Sequence, residues 1–154
     1  MLVYLQSMYS LCMGHSFFVY CYFILRLVLD DNNLKGTLPP ELYHLEDLTT
    51  LNFDGTTNSL SGTIPNTFGN LLYLLTIDLN KNNLEGTLLA SIFALKKLEV
   101  LDIDSNLFSG TLSAAIGNLT SLKSIQLHNN RFTGTVPLEV RNLLYLSEYN
   151  CNML

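Results

Sequence analysis

Hydrophobic and polar residues alternate in short runs that recur along most of the chain. Most runs place one polar residue between two apolar residues, although Val28 takes the middle position in the first. Successive runs begin at Leu27, Leu51, Ile77, Leu101 and Ile125, with a truncated sixth at Tyr149. Four of these five steps are 24 residues long and one is 26. Strict alternation predicts a short β-strand with one buried face. Its regular return indicates a repeat protein, in which no unit can bury its apolar face alone.

A second apolar pattern follows each predicted strand. It consists of residues three apart, a spacing that suits a short helical turn. The pairs are Leu42/Leu45, Phe68/Leu71, Ile92/Leu95, Ile116/Leu119 and Val140/Leu143. Strands and turns therefore alternate along the chain, and their apolar sides are expected to share one continuous core.

Asparagine and glycine occupy fixed positions in the repeating unit. An asparagine follows each strand, and its short side chain can both donate and accept hydrogen bonds. We expect these asparagines to form a ladder that satisfies buried backbone groups of adjacent units. Its members are Asn32, Asn58, Asn82, Asn106 and Asn130. Glycines at 62, 86, 110 and 134 mark backbone positions where a Cβ is not tolerated.

Over residues 27 to 148 the chain resembles the plant-type leucine-rich repeat, LxxLxLxxNxLxGxIPxxLxxLxx. Such repeats occur in receptor-like kinases, receptor-like proteins and polygalacturonase inhibitors, and similar ones in algal proteins. The resemblance implies an α/β repeat fold, a right-handed leucine-rich repeat solenoid. It places a parallel β-sheet on the concave face and short helical turns on the convex face. Residues 27–154 are expected to form five full coils and a truncated sixth.

Two features depart from this pattern. Two residues are inserted within Gly55-Thr56-Thr57, which predicts a bulge at the rim of the concave face. A ligand-contacting loop and tolerated variation are both open interpretations of it. The cysteine-bearing caps usual in the family have no clear counterpart, so the last coil is expected to expose core side chains and a strand edge. Self-association through such uncapped ends is one expected consequence.

Residues 1–26 lack the repeat pattern. No charged side chain precedes Arg26, and residues 17–25 form one apolar, aromatic run. Three interpretations stay open: a membrane anchor or uncleaved signal, an irregular cap on the first coil, or an artefact of where the chain is defined. The expected location is the membrane or the extracellular space, with membrane attachment through residues 1–25, and an intracellular location also stays open.

Composition excludes several classes of protein. With 48% hydrophobic residues the chain can bury a core, so intrinsic disorder is excluded. A net charge of −5 argues against nucleic-acid binding, which needs a basic surface. Three scattered cysteines do not make a disulfide framework or a zinc site. We expect no metal and no cofactor.

Catalysis receives little support from the sequence. No nucleophile motif, phosphate-binding loop or kinase signature is present. Asp102 and Asp104 project from one strand about 7 Å apart, a separation that inverting glycosidases use. However, we expect the concave face to be open, with no apolar cleft that could raise the pKa of either carboxyl. The chain is therefore not expected to be an enzyme.

Polar residues that project from the strands are the candidate ligand-binding residues. Stacking of the coils brings acidic and amide side chains together on the concave face: Asp54, Asp78, Asn80, Asp102, Asp104, Gln126 and His128. One interpretation is a recognition module that binds a peptide, glycan or protein ligand there. A solvated polar face on a structural or scaffold protein, assembling through its uncapped ends, is the alternative.

Asn118-Leu119-Thr120 is an N-glycosylation sequon. It is expected on the convex side, where a glycan would leave the concave face free. A polar turn residue without a glycan is the simpler interpretation of Asn118.

Overall fold

The computed structural model describes residues 24–151 as a stack of coils, each made of a strand, a second short strand and a 3-10 turn. In chain order the strands are β1 (Arg26–Val28), β2 (Lys35–Thr37), β3 (Thr50–Asn52), β4 (Ser59–Gly62), β5 (Thr76–Asp78), β6 (Asn83–Gly86), β7 (Val100–Asp102), β8 (Leu107–Gly110), β9 (Ser124–Gln126), β10 (Arg131–Phe132) and β11 (Glu148–Asn150). Coils 1 to 6 are numbered here by their opening strands, β1, β3, β5, β7, β9 and β11.

The opening strands form one six-stranded parallel sheet in the order β1-β3-β5-β7-β9-β11. Its register pairs Leu27 with Leu51 and continues through Ile77, Leu101 and Ile125, so each strand is displaced by one repeat. The first five of these strands bury their central apolar residue and project the residues on either side, whereas all three residues of β11 are exposed. This sheet is the concave face that the periodicity predicts.

In the described part of the chain, 3-10 turns lie on the convex side at Pro40–His44, Asn66–Asn70, Ile92–Ala94, Ala114–Asn118 and Leu138–Asn142. Each ends at a leucine whose backbone N–H donates to the carbonyl three residues earlier, as Leu71 does to Phe68 at 3.1 Å. The predicted i, i+3 apolar pairs therefore sit across these turns. With the parallel sheet opposite, they confirm the predicted leucine-rich repeat solenoid.

A second parallel sheet, in the order β10-β8-β6-β4-β2, was not predicted. Its strands are only two to four residues long and lie between the concave sheet and the convex turns. Gly62, Gly86 and Gly110 end three of them with φ between +76° and +87°, a backbone region that favours glycine.

Leucine, isoleucine and phenylalanine side chains from every coil share one core. Within residues 24–151 the fully buried phenylalanines are Phe53, Phe68, Phe93, Phe108 and Phe132. Phe108 and Phe132 stack with ring centroids 6.4 Å apart, which continues the packing from one coil to the next.

The asparagine ladder connects consecutive coils in one direction. Asn106 Oδ1 accepts the N–H of Leu84 at 2.9 Å, and its Nδ2 donates to the carbonyl of Leu79 at 2.9 Å, both in the preceding coil. Asn82 and Asn130 repeat this pattern, and Asn58 serves coil 1 in the same way. Asn58, Asn82 and Asn106 are buried accordingly.

Asn32 departs from the predicted ladder. Its side chain is exposed, and its Nδ2 donates locally to the carbonyl of Asp30 at 2.7 Å. Ladder side chains serve the preceding coil, and the residues one repeat before Asn32 lie outside residues 24–151.

The interpretations of residues 1–26 also fall almost wholly outside the described residues, which begin only two residues before Arg26. From residue 24 to residue 151, no helix has the length and apolar character needed to cross a bilayer.

Candidate ligand-binding face

The concave sheet carries two outward columns of polar side chains. Register pairing places Asp78 beside Asn52 on one side and Asp102 on the other, with Gln126 next in line. Adjacent strands are about 4.8 Å apart, so these side chains are direct neighbours. The second column follows two residues later along each strand: Asp54, Asn80, Asp104 and His128. All seven predicted residues therefore lie on one face.

The first column has a local structural role that the sequence did not reveal. Asn52 Oδ1 accepts the backbone N–H of Asp54 at 2.9 Å, and Asp78 Oδ1 accepts that of Asn80 at 3.3 Å. Asp102 Oδ1 does the same for Asp104 at 3.1 Å. In these three coils a side-chain oxygen at this position accepts a backbone N–H of the turn after the strand. Because the amide of Asn52 also provides this oxygen, the negative charge of an aspartate is not required.

Asn80 lies between two carboxylates. Its Nδ2 donates to Asp78 Oδ1 at 2.8 Å and to Asp102 Oδ2 at 3.4 Å. Although the outward pattern predicts a surface residue, Asn80 is only 7% exposed. Its Oδ1 is buried without a hydrogen-bond partner. The side chains of the neighbouring coils cover it, which a single repeat cannot show.

Asp104 is also nearly buried, at 9% exposed. Its Oδ2 accepts the hydroxyl of Ser105 at 2.8 Å and lies 3.3 Å from His128 Nε2 in the next coil. When the His128 ring is protonated, its positive charge compensates the negative charge of the Asp104 carboxylate. Coils 3 to 5 are thus linked by a chain of polar contacts from Asp78 to His128.

The carboxyls of Asp102 and Asp78 have raised pKa values. Burial is the main cause for Asp102, and contact with Asp104 and the charge of Asp78 add to it, raising its pKa to about 7. Burial, with the charges of Asp54 and Asp104, also raises the pKa of Asp78. No apolar cleft was expected on this face, yet both pKa values are raised, because side chains of neighbouring coils desolvate the carboxyls.

Lysines do not neutralise the column of carboxylates. Lys123 Nζ lies 2.7 Å from Glu99 Oε2, near the opposite ends of the strands. In residues 24–151, neither Asp78 nor Asp102 forms an ion pair with lysine or arginine. The same range holds no group of three or more His, Cys, Asp or Glu side chains arranged for a metal ion.

Asn118 ends a convex 3-10 turn and is exposed, as is Thr120, while Leu119 between them is buried. The sequon is therefore on the side of the coil opposite to the concave columns. The inserted residues 55–57 lie between β3 and β4, where Asp31 Oδ1 accepts the N–H of Thr57 at 3.2 Å and the hydroxyl of Thr56 at 3.3 Å.

Comparison with known proteins agrees with this architecture. The family model described as Leucine Rich Repeat matches residues 24–45, 47–71, 97–119 and 121–143, more than half of the chain. A leucine-rich repeat receptor-like protein kinase of Arabidopsis thaliana, PXC2, is 52% identical over 46 residues, which cover 30% of this chain and 5% of that protein.

Solved structures extend the similarity. The plant peptide hormone receptor RGFR1 in complex with RGF2 matches 82% of this chain with a TM-score of 0.76 and 37% identity. A plant ice-binding protein matches 77% with a TM-score of 0.72 and 31% identity. This chain covers only 20% of the receptor chain and 38% of the ice-binding protein. It belongs to the leucine-rich repeat family and is similar to segments of plant receptor-kinase ectodomains.

Proposed function

We propose that the chain is a non-catalytic recognition module that binds a cationic segment of a peptide or protein ligand on its concave face. The single observation that carries the proposal is the pair of adjacent carboxylates at Asp78 and Asp102. Among the described residues, neither forms an ion pair with a lysine or arginine. Burial and mutual repulsion raise the pKa of Asp102 to about 7, so a bound cation would favour the ionised form of the pair and relieve the repulsion.

The local hydrogen bonds strengthen this argument. An amide at the same position satisfies the turn equally well, as Asn52 does for Asp54. The fold therefore does not require the negative charges of Asp78 and Asp102. Carboxylates concentrated on one face raise the local negative potential and attract a cationic ligand from solution.

The relatives support the same class of function. RGFR1 is a receptor for a plant peptide hormone, and its matching region has the same coil structure. On that basis the ligand is a peptide or protein, and the location is the membrane or extracellular space. Carboxylate and amide oxygens also accept hydrogen bonds from hydroxyls, so a hydroxyl-rich glycan is the alternative ligand that the test below includes.

The test is binding by the variant Asp78→Asn with Asp102→Asn. Both substitutions keep the Oδ1 acceptor of the turn, so folding is retained. Arginine- and lysine-rich peptides and neutral oligosaccharides are titrated at low and high salt. We expect peptide binding to weaken about tenfold at low salt and its salt dependence to flatten.

Two control variants accompany this test. Glu41→Gln with Glu139→Gln removes two negative charges from the convex side. Lys96→Ala with Lys97→Ala removes two positive charges that lie away from the concave face. Neither is expected to alter binding. Undiminished binding by the double aspartate variant would remove the concave face as the site.

A second candidate function rests on the second sheet. Exposed threonines repeat there in successive coils, Thr37, Thr63, Thr87, Thr111 and Thr135. The methyl groups of the first four lie against glycines of the next coil, and β-branched side chains have few rotamers. Such a regular array can order water, and the similarity to a plant ice-binding protein supports binding to ice.

Ice recrystallisation assays test this candidate. Replacing Thr63, Thr87 and Thr111 with serine keeps the hydroxyls but removes the methyl contacts with glycine. We expect inhibition of recrystallisation by the native chain and its loss in the triple variant. A native chain without effect on ice growth would exclude the second candidate and leave the first untouched.

A further inference from the structure

Each convex 3-10 turn is followed by a two-residue turn that returns the chain to the concave sheet. The N–H of the leucine after the turn donates to the carbonyl of the leucine before it, as Leu74 does to Leu71 at 3.0 Å and Leu98 to Leu95 at 2.9 Å. Because the flanking leucines pack in the core, the two middle residues project at one lateral edge of the solenoid.

The middle residues in coils 1 to 3 form an ordered series. They are Glu46–Asp47, then Leu72–Tyr73, then Lys96–Lys97. Each pair is assigned to the coil whose 3-10 turn precedes it. An acidic pair, an apolar pair and a basic pair thus follow one another along the same edge. We call these six residues the edge series.

The apolar pair is exposed, as is its counterpart in coil 5, Leu144–Tyr145. Leu72 is 56% exposed and Tyr73 is 51% exposed, although both are large. They line a shallow groove with Tyr43, Glu46 and Asn70. Lys97 Nζ lies 4.1 Å from the centre of the Tyr73 ring, a cation–π contact that joins the basic pair to the apolar pair.

The spacing of the series is symmetric about Leu72–Tyr73. The acidic and apolar pairs lie in adjacent coils, and the apolar and basic pairs also lie in adjacent coils. The steps along the sequence are 26 and 24 residues, but the two extra residues lie in the 55–57 bulge between β3 and β4. The bulge therefore leaves the edge itself evenly spaced.

We propose that the edge series is a two-fold symmetric contact between two copies of this chain. Leu72 and Tyr73 pack on the same residues of the second copy across the two-fold axis. Glu46 and Asp47 of each copy face Lys96 and Lys97 of the other, at a distance of one coil from the two-fold axis on either side. A two-fold axis requires a surface that complements itself, and an acidic-apolar-basic order at equal steps has that property.

The charges select one orientation of the two copies. In the antiparallel arrangement each acidic pair meets a basic pair. A parallel arrangement would place acid against acid and base against base, which is disfavoured. The edge series is small, so the dimer is weak and depends on concentration. The concave face stays free, so this proposal stands apart from the proposed ligand binding.

Sedimentation velocity of the full chain across a wide concentration range tests the proposal. We expect a monomer–dimer equilibrium for the native chain. Glu46→Lys with Asp47→Lys is expected to weaken dimerisation at least about tenfold, as is Lys96→Glu with Lys97→Glu, because each leaves like charges opposed. Lys35→Glu and Glu85→Lys, exposed on the second sheet, are the controls and should have no effect.

Charge exchange identifies the contact itself. Mixing the two charge-reversed variants should produce a heterodimer, because the four lysines of one copy then face the four acids of the other. Combining all four substitutions in one chain should restore the homodimer. Association that survives both reversals, or fails to return on mixing, would overturn the proposal. A chain that is monomeric at every concentration would also overturn it. The edge series would then be a contact surface for a different protein.

Discussion

The Cγ2 methyl of Thr87 lies against Gly110 of the next coil, so close that a Cβ on Gly110 would be only 2.9 Å away. Gly110 also has a φ of +83°, where a Cβ strains the backbone. The contact with Thr87 and the positive φ thus each require glycine at position 110. The Gly-Thr sequence interlocks neighbouring coils of the second sheet, with the threonine of one coil filling the space that the glycine of the next leaves open.

Gly110→Ala is expected to lower the free energy of unfolding by about 2–4 kcal/mol, since it combines backbone strain with the contact to Thr87. Gly36→Ala provides the matched control. Its φ is +95° but nothing lies within 4 Å of an added Cβ, so only the backbone term applies. Urea unfolding measures both.

The steric part of the Gly110 effect should respond to its partner. Thr87→Ser removes the methyl group, and in the Gly110→Ala background it should recover part of the lost stability. Equal losses for Gly36→Ala and Gly110→Ala, with no recovery by serine, would show that the methyl contact is unimportant.

Replacing a ladder asparagine should leave buried backbone groups unpaired. Asn82→Ala and Asn106→Ala are each expected to cost about 1–3 kcal/mol in unfolding free energy. Asn32→Ala, which removes an exposed side chain, should cost less than about 0.5 kcal/mol. Thermal and chemical unfolding can compare the three; equal losses would mean that the ladder contributes nothing beyond ordinary surface contacts.

The repeat pattern was sufficient to predict the ladder, the register and the core, because each column repeats the same chemistry in every coil. The second sheet could not be predicted because its strands are very short and exist only by pairing between coils. The burial of Asn80 and the raised pKa of Asp102 escaped prediction for a related reason. Both depend on side chains one coil away, packed more closely than strand spacing alone indicates.

Stability should depend on pH through Asp102. Its pKa is about 7 in the folded chain against an ordinary value of 3.8, so the folded state holds more protons between these values. The unfolding free energy contributed by this group is therefore present below about pH 4 and lost as pH rises through 7. Asp78 acts in the same direction.

Asp102→Asn isolates this contribution, because the amide keeps the acceptor for the N–H of Asp104 and cannot ionise. We expect the melting temperature of Asp102→Asn, relative to the native chain, to rise between pH 5 and pH 8. A difference between the two proteins that is the same at every pH would show that Asp102 has an ordinary pKa.

Asn118 should carry an N-linked glycan when the chain is produced in a eukaryotic secretory host, because both Asn118 and Thr120 are exposed. Enzymatic deglycosylation followed by mass measurement detects the glycan. Thr120→Ala should abolish it without changing the 3-10 turn, whereas Thr111→Ala, outside the sequon, should not. An unmodified Asn118 in protein secreted by such a host would contradict this prediction.

The direction of the asparagine ladder has a consequence for biosynthesis. Asn106 completes the hydrogen bonds of the coil before its own, and Asn130 does the same one coil later. A coil that leaves the ribosome therefore has unsatisfied backbone groups until the next 24 or so residues have followed it. Folding on the ribosome must lag synthesis by one repeat, and each new coil stabilises the one already made.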